Sequence, residues 1–473
     1  MRHRLPPSFV RRLFLGASAS ALFVAPAAAQ DVDMEALQDE AVRWVQEYLR
    51  VNTMNPPGNE IAGARYLAGI FEAEGIPYEI AESAPGRGNI WARLDGGDAP
   101  ALVLLHHIDV VPADERYWTD DPLSGEIRDG MIYGRGALDT KALGIVQLAG
   151  FLALHRSGVA LERDVIYMAT ADEEAGGFYG AGWLVENRPE LFENVGFLLN
   201  EGGGGSAVDG EVGFGVEVTQ KVPYWLRLTT RGAPGHGSRP GTTSAVTELV
   251  AALDRLREHR FPARIVPAVD VMFRGIAPGF PEPWATRFRD IGSAVEQDGV
   301  LDELQAFEPG LHALTRNTCS ITRLEGSDKI NVVPPQANAE IDCRLLPDQD
   351  PDAWLAELGQ VLGPEVEVEV LMGFSPAVSS TDTELYRTVR EVTDAYFPGA
   401  SFVPQVAGGF TDSHFFRDLG IVSYGYAPMA TPQEDAGGVH GNDERVSVEN
   451  VRRGVEMMTE ILSRFAAERP ISD

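Results

Sequence analysis

Apolar residues along the chain recur in two alternating patterns, one typical of helices and one typical of buried strands. Helical spacing occurs early, at Leu37, Ala41, Trp44, Tyr48 and Val51. Continuously apolar runs at 101–105, 165–171 and 195–199 predict central strands. Helices predicted over 141–156 and 177–187 alternate with these strands. The alternation predicts an α/β fold in which helices cover both faces of a sheet.

The pattern changes near Lys221 and changes back near Thr381. Between these points, predicted strands and helices follow the order of a small α+β domain. Residues 266–314 contain several prolines and aromatic residues and are predicted to be an irregular insertion. After 381 the βα alternation returns and ends in a helix over 448–465. The first and last parts are therefore expected to form one catalytic domain, at 30–220 and 374–473, with an inserted domain at 221–373.

Residues 1–29 are predicted to be a cleaved export signal. Four arginines open the chain, an apolar stretch of roughly a dozen residues runs from Leu13 to Val24, and Ala27-Ala28-Ala29 offers a cleavage site. The stretch is too short to span a bilayer comfortably, which argues against a membrane anchor. Arg11-Arg12 before Leu13 resembles a twin-arginine signal. We therefore expect a periplasmic or secreted protein.

The chain of 473 residues is acidic, with 39 basic and 70 acidic residues and a formal net charge of −31. Removal of the leader would leave 35 basic against 70 acidic residues, a charge of −35. Such a surface argues against binding to nucleic acid or to anionic membranes. The hydrophobic content of 44% is ordinary for a globular protein with a large core.

Two cysteines, Cys319 and Cys343, lie on predicted strands that are candidates for antiparallel neighbours. An exported protein permits a disulfide, but the sequence does not fix the pairing. Two buried free thiols are the interpretation favoured at this point, and neither cysteine is predicted to be catalytic.

Five candidate metal ligands stand at the ends of apolar strands or in glycine-rich turns: His107, Asp139, Glu174, Glu201 and His440. Two imidazoles and three carboxylates suit a pair of divalent cations with one carboxylate bridging them. Strands of an α/β sheet place their sites at their carboxyl ends, so we expect these side chains to converge. Glu173 stands beside a ligand, and a free carboxylate next to activated water is what amide hydrolysis requires.

Each of these residues also has a purely structural interpretation. A histidine after an apolar strand is often a satisfied core residue, Asp139 could be a helix N-cap, and adjacent acids such as Glu173 and Glu174 could simply be solvated. His107 is favoured over His106 because it shares a strand face with Asp109, whose side chain can accept the second ring N–H. The set of five is more specific than any one member.

The ordered set H-x-D, G-x-G-x-x-D, D-E-E, E-G and a late histidine resembles the M20 family of metallopeptidases and aminoacylases over nearly the whole mature chain. The resemblance implies a zinc-hydrolase-type three-layer α/β catalytic domain with an inserted α+β lid that often serves for dimerisation. The long lid and the export signal are most similar to the branch of carboxypeptidase S and N-acyl-amino-acid hydrolases.

By position, the resemblance implies that Asp139 bridges two metal ions. His107 and Glu201 would complete one site, and Glu174 and His440 the other. Glu173 would be the general base and acid, and Asp109 would orient His107. The resemblance also implies a cis peptide bond after Asp139. Zinc is the default cation, and manganese or cobalt would suit the same ligands.

The resemblance extends to the inserted domain. His236 would bind the oxyanion of the tetrahedral intermediate, often across a dimer, or it is an ordinary loop histidine. Asn331 and Arg344 would bind the substrate carboxylate, for which the planar guanidinium of arginine is suited. Arg344 could instead form an ordinary strand ion pair. Gly409 belongs to a loop, 408–412, that would lie near the substrate.

These observations predict a di-metal amidohydrolase, homodimeric by resemblance, that acts on N-acyl-amino acids or C-terminal peptide bonds and releases an amino acid with a free carboxylate. Glu201 matches deacylases and carboxypeptidase-type members, whereas aminopeptidase-type members tend to carry aspartate there. The alternatives are an aminopeptidase or dipeptidase on the same scaffold and a non-catalytic homologue that retained the fold. The acyl group and the amino acid side chain are not predicted.

Overall fold

A computed structural model of the protein describes residues 31–208 and 210–471. Its strands, in chain order, are β1 (Tyr78–Ala84), β2 (Arg87–Leu94), β3 (Ala99–His107), β4 (Glu126–Arg128), β5 (Met131–Tyr133), β6 (Arg163–Thr170), β7 (Val195–Val208), β8 (Glu211–Gln220), β9 (Val222–Arg231), β10 (Gly235–His236), β11 (Thr318–Glu325), β12 (Val332–Val333), β13 (Gln336–Leu345), β14 (Glu367–Gly373), β15 (Ser401–Ala407), β16 (Val422–Pro432) and β17 (Arg445–Ser447). Its α-helices are α1 (Met34–Leu49), α2 (Glu60–Glu74), α3 (Lys141–Ser157), α4 (Ala181–Asn187), α5 (Ala245–Glu258), α6 (Pro267–Ile276), α7 (Trp284–Arg289), α8 (Ile291–Ala294), α9 (Val300–Phe307), α10 (Pro309–Ala313), α11 (Pro351–Leu362), α12 (Glu384–Tyr396), α13 (Ser413–Asp418), α14 (Gln433–Ala436) and α15 (Val448–Ala466).

The largest sheet has eight strands in the order β1-β2-β6-β3-β7-β16-β8-β15. Its centre is parallel, with β3 between β6 and β7 and with β16 beside β7. Alternate residues of β3 face opposite layers, since Leu104 packs in the core with α3 and α15 whereas Val103 packs with α4 and α13. Helices therefore cover both faces, and the predicted three-layer α/β architecture is confirmed.

A second sheet has four antiparallel strands in the order β11-β13-β9-β14. Helices α5 and α11 bury Leu249 and Leu358 against strand residues such as Leu226 and Ile341. This is the inserted α+β lid expected from the change of pattern. The exact domain limits at 220/221 and 373/374 stay predictions.

The stretch 266–314 differs from the irregular insertion that we predicted. It forms the short helices α6 to α10 around a core of its own, which includes Phe273, Phe288 and Leu304. Proline begins α6 and α10, where a missing N–H costs nothing and the fixed φ favours a helix. Helix α6 packs on β15 of the large sheet, with Met272 against Val406. The insertion therefore contributes a wall to the catalytic domain.

Cys319 and Cys343 form a disulfide, so the favoured interpretation of two free thiols is wrong. The register of β11 and β13 places the two residues directly opposite each other, with their Cα atoms 4.0 Å apart. Antiparallel neighbours approach this closely at non-hydrogen-bonded positions. The sequence alone left this register open.

The predicted export signal at 1–29 lies outside the described residues. Within 31–208 and 210–471, none of the helices combines the length and the apolarity needed to cross a bilayer.

Candidate metal centre and active site

Four of the candidate side chains follow strands of the large sheet. His107 is the last residue of β3, and Glu173 and Glu174 form a short 3-10 turn soon after β6. Glu201 lies in β7, just past the part of that strand that pairs with β3. The parallel centre of the sheet therefore brings all four to one edge, as the pattern predicted.

Asp139 lies between the two candidate histidines. Its Oδ1 is 2.9 Å from Nε2 of His107, and its Oδ2 is 3.1 Å from Nε2 of His440. Glu201 Oε1 lies 3.5 Å from the same His107 nitrogen, and Glu174 Oε2 lies 3.1 Å from the His440 nitrogen. The five side chains thus form two groups that share the Asp139 carboxylate, which is the geometry that a bridging ligand requires.

These distances suit bound cations. Bonds of 2.0–2.2 Å to nitrogen and oxygen put two ligands of a tetrahedral zinc ion roughly 3.3 Å apart, and the four distances above span 2.9 to 3.5 Å. Ligand atoms of His107, Asp139 and Glu174 all lie within 4.8 Å of one another, as do those of His107, Glu173 and Glu201. The donor set and its spacing therefore fit divalent metal ions.

The concentration of carboxylates changes the proton affinity of the site. Burial opposes protonation of His107, but Glu201 and the hydrogen-bonded Asp109 and Asp139 outweigh it and raise the pKa of His107 well above its usual value. The hydrogen bond that His440 donates to the Asp139 carboxylate is the main cause that raises the pKa of His440 to about 9. Negative charge in excess at the site is balanced by protons or, equivalently, by cations that replace them.

Glu173 is buried beside the metal-ligand candidates. Its Oε2 lies 4.0 Å from Nε2 of His107. Burial, followed by the charge of Glu201, raises the pKa of Glu173 well above the usual carboxyl value. A carboxyl group that readily holds a proton next to the ligand cluster is suited to accept and return a proton during hydrolysis. Glu173 is therefore not the solvated surface acid that we considered as an alternative.

The contacts of Asp109 differ from those predicted. Nδ1 of His107 lies 2.9 Å from the backbone oxygen of Asp109 and 3.6 Å from its carboxylate. The carboxylate accepts hydrogen bonds from the backbone N–H groups of Glu173 and Glu174, at 3.1 and 3.2 Å, and from Nδ2 of Asn55 at 2.8 Å. Asp109 therefore orients His107 mainly through its main chain and holds the 173–174 turn with its side chain.

Sequence reasoning missed Glu444 and Arg135, which tie the Asp139 loop to the His440 loop. The buried carboxylate of Glu444 accepts from Nη1 of Arg135 at 2.7 Å and from the backbone N–H groups of Gly136, Leu138 and Asp139 at 2.7–3.1 Å. Nη2 of Arg135 donates to the Gly441 carbonyl at 2.6 Å. The Gly-Arg-Gly turn and the acid four residues after His440 were the available signals.

Asp172 helps to hold the turn that carries Glu173 and Glu174, and sequence reasoning missed it as well. Its backbone is left-handed, with φ of 71°. Its carboxylate accepts from the backbone N–H of Tyr179 at 3.1 Å and pairs with Nη1 of Arg87 at 3.3 Å. The same Arg87 nitrogen pairs with the buried Glu60 at 2.5 Å. This network fixes the start of the turn that carries Glu173 and Glu174.

His106 points away from the metal centre, as the strand period predicted. Its ring is fully buried, and Nε2 lies 3.3 Å from the hydroxyl of Tyr48. Burial lowers the pKa of His106 to about 3, so the ring is neutral. His106 is a core histidine. The peptide bond between Asp139 and Thr140 is cis, as the resemblance implied.

His236 and Asn331 lie together on the lid, at an exposed two-stranded pairing of β10 with β12. The Gly237 N–H donates to the Asn331 carbonyl at 2.8 Å. Nδ1 of His236 accepts from the Ser238 backbone at 3.2 Å, which leaves Nε2 to carry the ring proton. Among the described contacts, neither residue reaches the metal-ligand candidates, so the structure does not bring them into that cluster.

Arg344 lies where the lid meets the loop that contains Gly409. Its guanidinium forms the ion pair that we considered as an alternative, with Asp342 at 2.8 and 3.1 Å, and lies 5.6 Å from the ring centre of Phe410. Its Nη1 is buried and has no partner among the described residues. Gly409 is exposed, and Asp412 is buried with its pKa raised to about 8, mainly by desolvation.

The sequence matches known proteins along most of its length. The family model described as Peptidase family M20/M25/M40 matches residues 103–464. The N-fatty-acyl-amino acid synthase/hydrolase PM20D1 of Xenopus tropicalis is 32% identical over 385 residues, which cover 78% of this chain and 74% of that protein. Aminoacylase-1 of Sus scrofa is 29% identical over 443 residues, which cover 90% and 95% of the two chains.

A solved structure shares the fold. The M20 family metallo-carboxypeptidase Sso-CP2 from Sulfolobus solfataricus superposes with a TM-score of 0.69 at 20% identity, and the match covers 90% of this chain and 98% of that one. This likeness agrees with a catalytic α/β domain that carries an inserted lid. Together with the family match over 103–464, it shows that the chain belongs to the M20 peptidase family.

Proposed function

We propose that the protein is a di-metal amidohydrolase that cleaves the amide bond of N-acyl-amino acids and releases the free amino acid. The observation that carries the proposal is the position of Asp139 between His107 and His440, with a further acid beside each histidine. Of the two relatives above, one is named an N-fatty-acyl-amino acid synthase/hydrolase and the other an aminoacylase. Glu201 is the acid that the resemblance associates with deacylases.

The five ligand candidates would hold two divalent cations, zinc by default and manganese or cobalt as alternatives. His107 and Glu201 would complete one site, Glu174 and His440 the other, and Asp139 would bridge them. When bound, the cations would lower the pKa of a water molecule at the site and polarise the scissile carbonyl.

Glu173 would move the protons of the reaction. Its buried carboxylate would accept a proton from the attacking water and return it to the nitrogen of the leaving amine. The Asp109 carboxylate holds the backbone of Glu173 and Glu174 with two hydrogen bonds. It would therefore keep the base at a fixed place beside a ligand, which is what a proton transfer in the transition state requires.

The lid would bind the carboxylate of the substrate and the oxyanion. Nη1 of Arg344 is buried and has no partner within 31–208 and 210–471, so its guanidinium has a donor to offer to a carboxylate. Asn331 and Gly409 would lie near the same group. His236 would donate Nε2–H to the oxyanion, a role that suits the tautomer fixed by Ser238.

A homodimer would give His236 access to an active site. The edge strand β11 exposes Ile321 and Leu324, and the neighbouring helix α5 exposes Val250. An exposed edge strand that carries large apolar side chains among polar ones can pair with a second copy of the same strand. Such a dimer would bring the His236 of one subunit to the cleft of its partner.

Export would fit the disulfide bond of the described chain. The disulfide between Cys319 and Cys343 persists in oxidising compartments and is unusual in reducing ones. We therefore propose that 1–29 directs export to the periplasm or the exterior, with the paired arginines as a twin-arginine signal.

The proposal is tested with protein stripped by a chelator and reloaded with zinc, manganese or cobalt. N-acetyl-amino acids are expected to be hydrolysed by the loaded protein, and dipeptides with a free amino group are expected to be poor substrates. Glu173→Gln should keep its metal content and lose about 10²–10⁴-fold in kcat. The exposed Glu186→Gln on α4 is the matched control and should match wild type.

One result would reject the proposed substrate class, and another would reject the role of Glu173. Cleavage of free-amine dipeptides without cleavage of N-acetyl-amino acids would favour the aminopeptidase alternative. Activity of Glu173→Gln near that of Glu186→Gln would remove Glu173 from the mechanism.

A further inference from the structure

A cavity of about 590 Å³ opens beside the metal centre, at Asp139 and Glu201. It runs between the large sheet and helix α6 of the insertion. This is the size range of pockets that enclose small organic ligands. Glu173, His236 and Arg344, which would act on the protons, the oxyanion and the carboxylate, do not line it. The proposed mechanism therefore assigns no part of the substrate to this cavity.

One wall of the cavity is a sheet face built from small residues, which we call the small-residue face. Two cross-strand rows of β16, β7, β8 and β15 make it, in the pairings of the sheet: Ala427, Gly204, Gly215 and Val403, then Thr431, Ser206, Gly213 and Ser401. Residues directly opposite each other on neighbouring strands present their side chains to the same face. The side chains of Gln405 and Ser401 lie over Gly215 and Gly213. The other positions of the two rows carry no long side chain, which leaves room for a ligand.

The opposite wall is apolar. Met272 and Ile276, one helical turn apart on α6, line it. A Cβ atom on Gly275 would lie 2.1 Å from Cγ1 of Val403, so α6 rests directly on β15 and fixes the width of the cavity. Leu138 and Leu143, close in sequence to Asp139, and the exposed Val439, next to His440, also line the cavity.

The charge of the lining restricts the ligand. Among the described residues that line the cavity, Asp139 and Glu201 are the only charged ones, and both belong to the metal centre. Apart from the metal ions that these two residues would hold, a buried anionic group would find no cation to pair with there. An uncharged hydrocarbon chain would gain from burial against the apolar wall.

The position of the cavity identifies which part of a substrate it receives. No described residue of the four-stranded lid sheet lines it, whereas Arg344 on that sheet is the group suited to the carboxylate of the amino acid. The scissile carbonyl must lie at the metal centre, which borders the cavity at Asp139 and Glu201. The cavity is therefore on the acyl side of the amide bond.

We propose that this cavity binds the hydrocarbon chain of an N-acyl-amino acid, so that the enzyme prefers linear aliphatic acyl groups over acetyl and over acidic acyl groups such as succinyl. The inference rests on the proposed hydrolysis of N-acyl-amino acids and goes further, because it selects the acyl class. Met272 and Ile276 of the insertion and the small-residue face would determine the length that is accepted.

The test compares N-acetyl-, N-hexanoyl-, N-dodecanoyl- and N-succinyl-glycine as substrates of the metal-loaded enzyme. Each buried methylene is expected to raise kcat/KM by about fourfold. N-hexanoyl-glycine should therefore exceed N-acetyl-glycine by about two hundredfold, and N-succinyl-glycine should be the poorest substrate. Equal kcat/KM for the acetyl and hexanoyl compounds would overturn the acyl cavity while leaving the hydrolase proposal intact. Failure to cleave any of the four would overturn both.

Substitutions in the cavity lining test whether the acyl-chain preference arises in this cavity. Ile276→Trp fills the cavity from α6 and should reduce the preference for hexanoyl over acetyl, as a ratio of kcat/KM, to below about tenfold. Val271→Trp is the matched control on the exposed face of the same helix and should keep the preference. Ala427→Leu fills the cavity from the small-residue face and serves if Ile276→Trp does not fold. An unchanged preference in a folded cavity variant would overturn the assignment.

A binding measurement avoids the need for turnover. The uncharged 1-decanol, titrated calorimetrically into metal-free protein, is expected to bind with a negative heat-capacity change, as burial of apolar surface requires. Ile276→Trp should weaken that binding at least tenfold relative to Val271→Trp. Equal binding to both variants would place the alcohol elsewhere and contradict the proposal.

Discussion

Glu444→Gln is expected to loosen the metal centre although Glu444 is not a candidate ligand. In the native protein Oε2 accepts from Arg135 at 2.7 Å and from the Gly136 N–H at 3.0 Å, and Oε1 accepts from the N–H groups of Leu138 and Asp139 at 2.7 and 3.1 Å. Glutamine would replace one acceptor oxygen with a donor. The guanidinium of Arg135, only 3% exposed, would lose its counter-charge.

The magnitude follows from these contacts. Removal of one partner of a buried ion pair costs about 3–5 kcal/mol. Two hydrogen bonds would lose their acceptor, at about 1.5–3 kcal/mol for each bond to a charged group, which gives about 3–6 kcal/mol. The ion pair is itself one of these two hydrogen bonds, so the two figures estimate the same loss and do not add. We therefore expect the free energy of unfolding to fall by about 4 kcal/mol. Because one donor is the backbone of Asp139, metal affinity should also fall about 10–100-fold.

Urea unfolding of the metal-free protein measures the first effect, and competition with a chelator measures the second. Glu434→Gln, at an exposed glutamate of α14, is the matched control and should change the unfolding free energy by less than about 0.5 kcal/mol. If Glu444→Gln matched this control in both measurements, the role assigned to the buried carboxylate would be refuted.

Three further predictions concern other parts of the molecule. The double variant Cys319→Ser, Cys343→Ser should lose about 3 kcal/mol in unfolding free energy relative to the oxidised protein, since the crosslink spans 24 positions; unchanged stability would contradict this contribution. Glu74→Gln should lower the unfolding free energy at pH 7 by no more than about 1 kcal/mol. Hydrogen bonds from Arg156 lower the pKa of Glu74, so this contribution is present above the ordinary carboxyl pKa and disappears as the pH falls through the lowered value; a difference from wild type that persisted in strong acid would exclude this cause. His236→Ala should reduce kcat by about 10²–10³-fold with little change in KM, whereas unaltered kinetics would make His236 an ordinary loop histidine.

The amino-acid pattern alone was enough to predict the class of fold and most of the candidate centre. The central strands are buried on both faces, so they appear in the sequence as continuous apolar runs. Acids and imidazoles at their carboxyl ends are therefore expected to meet at one edge of the sheet. His107, Glu174 and Glu201 follow from this logic. The strand period also separated His107 from the core residue His106.

Features that depend on strand register or on contacts between distant segments could be identified only in the folded structure. Cys319 and Cys343 pair because two strands align in one register and not another. Glu444 reaches the Asp139 loop across some three hundred positions of chain, and no local pattern marks such a contact. The acyl cavity exists because small residues of four strands fall into the same two rows beneath α6. Local sequence fixes which faces are apolar, whereas long-range packing fixes which faces meet and where a gap remains.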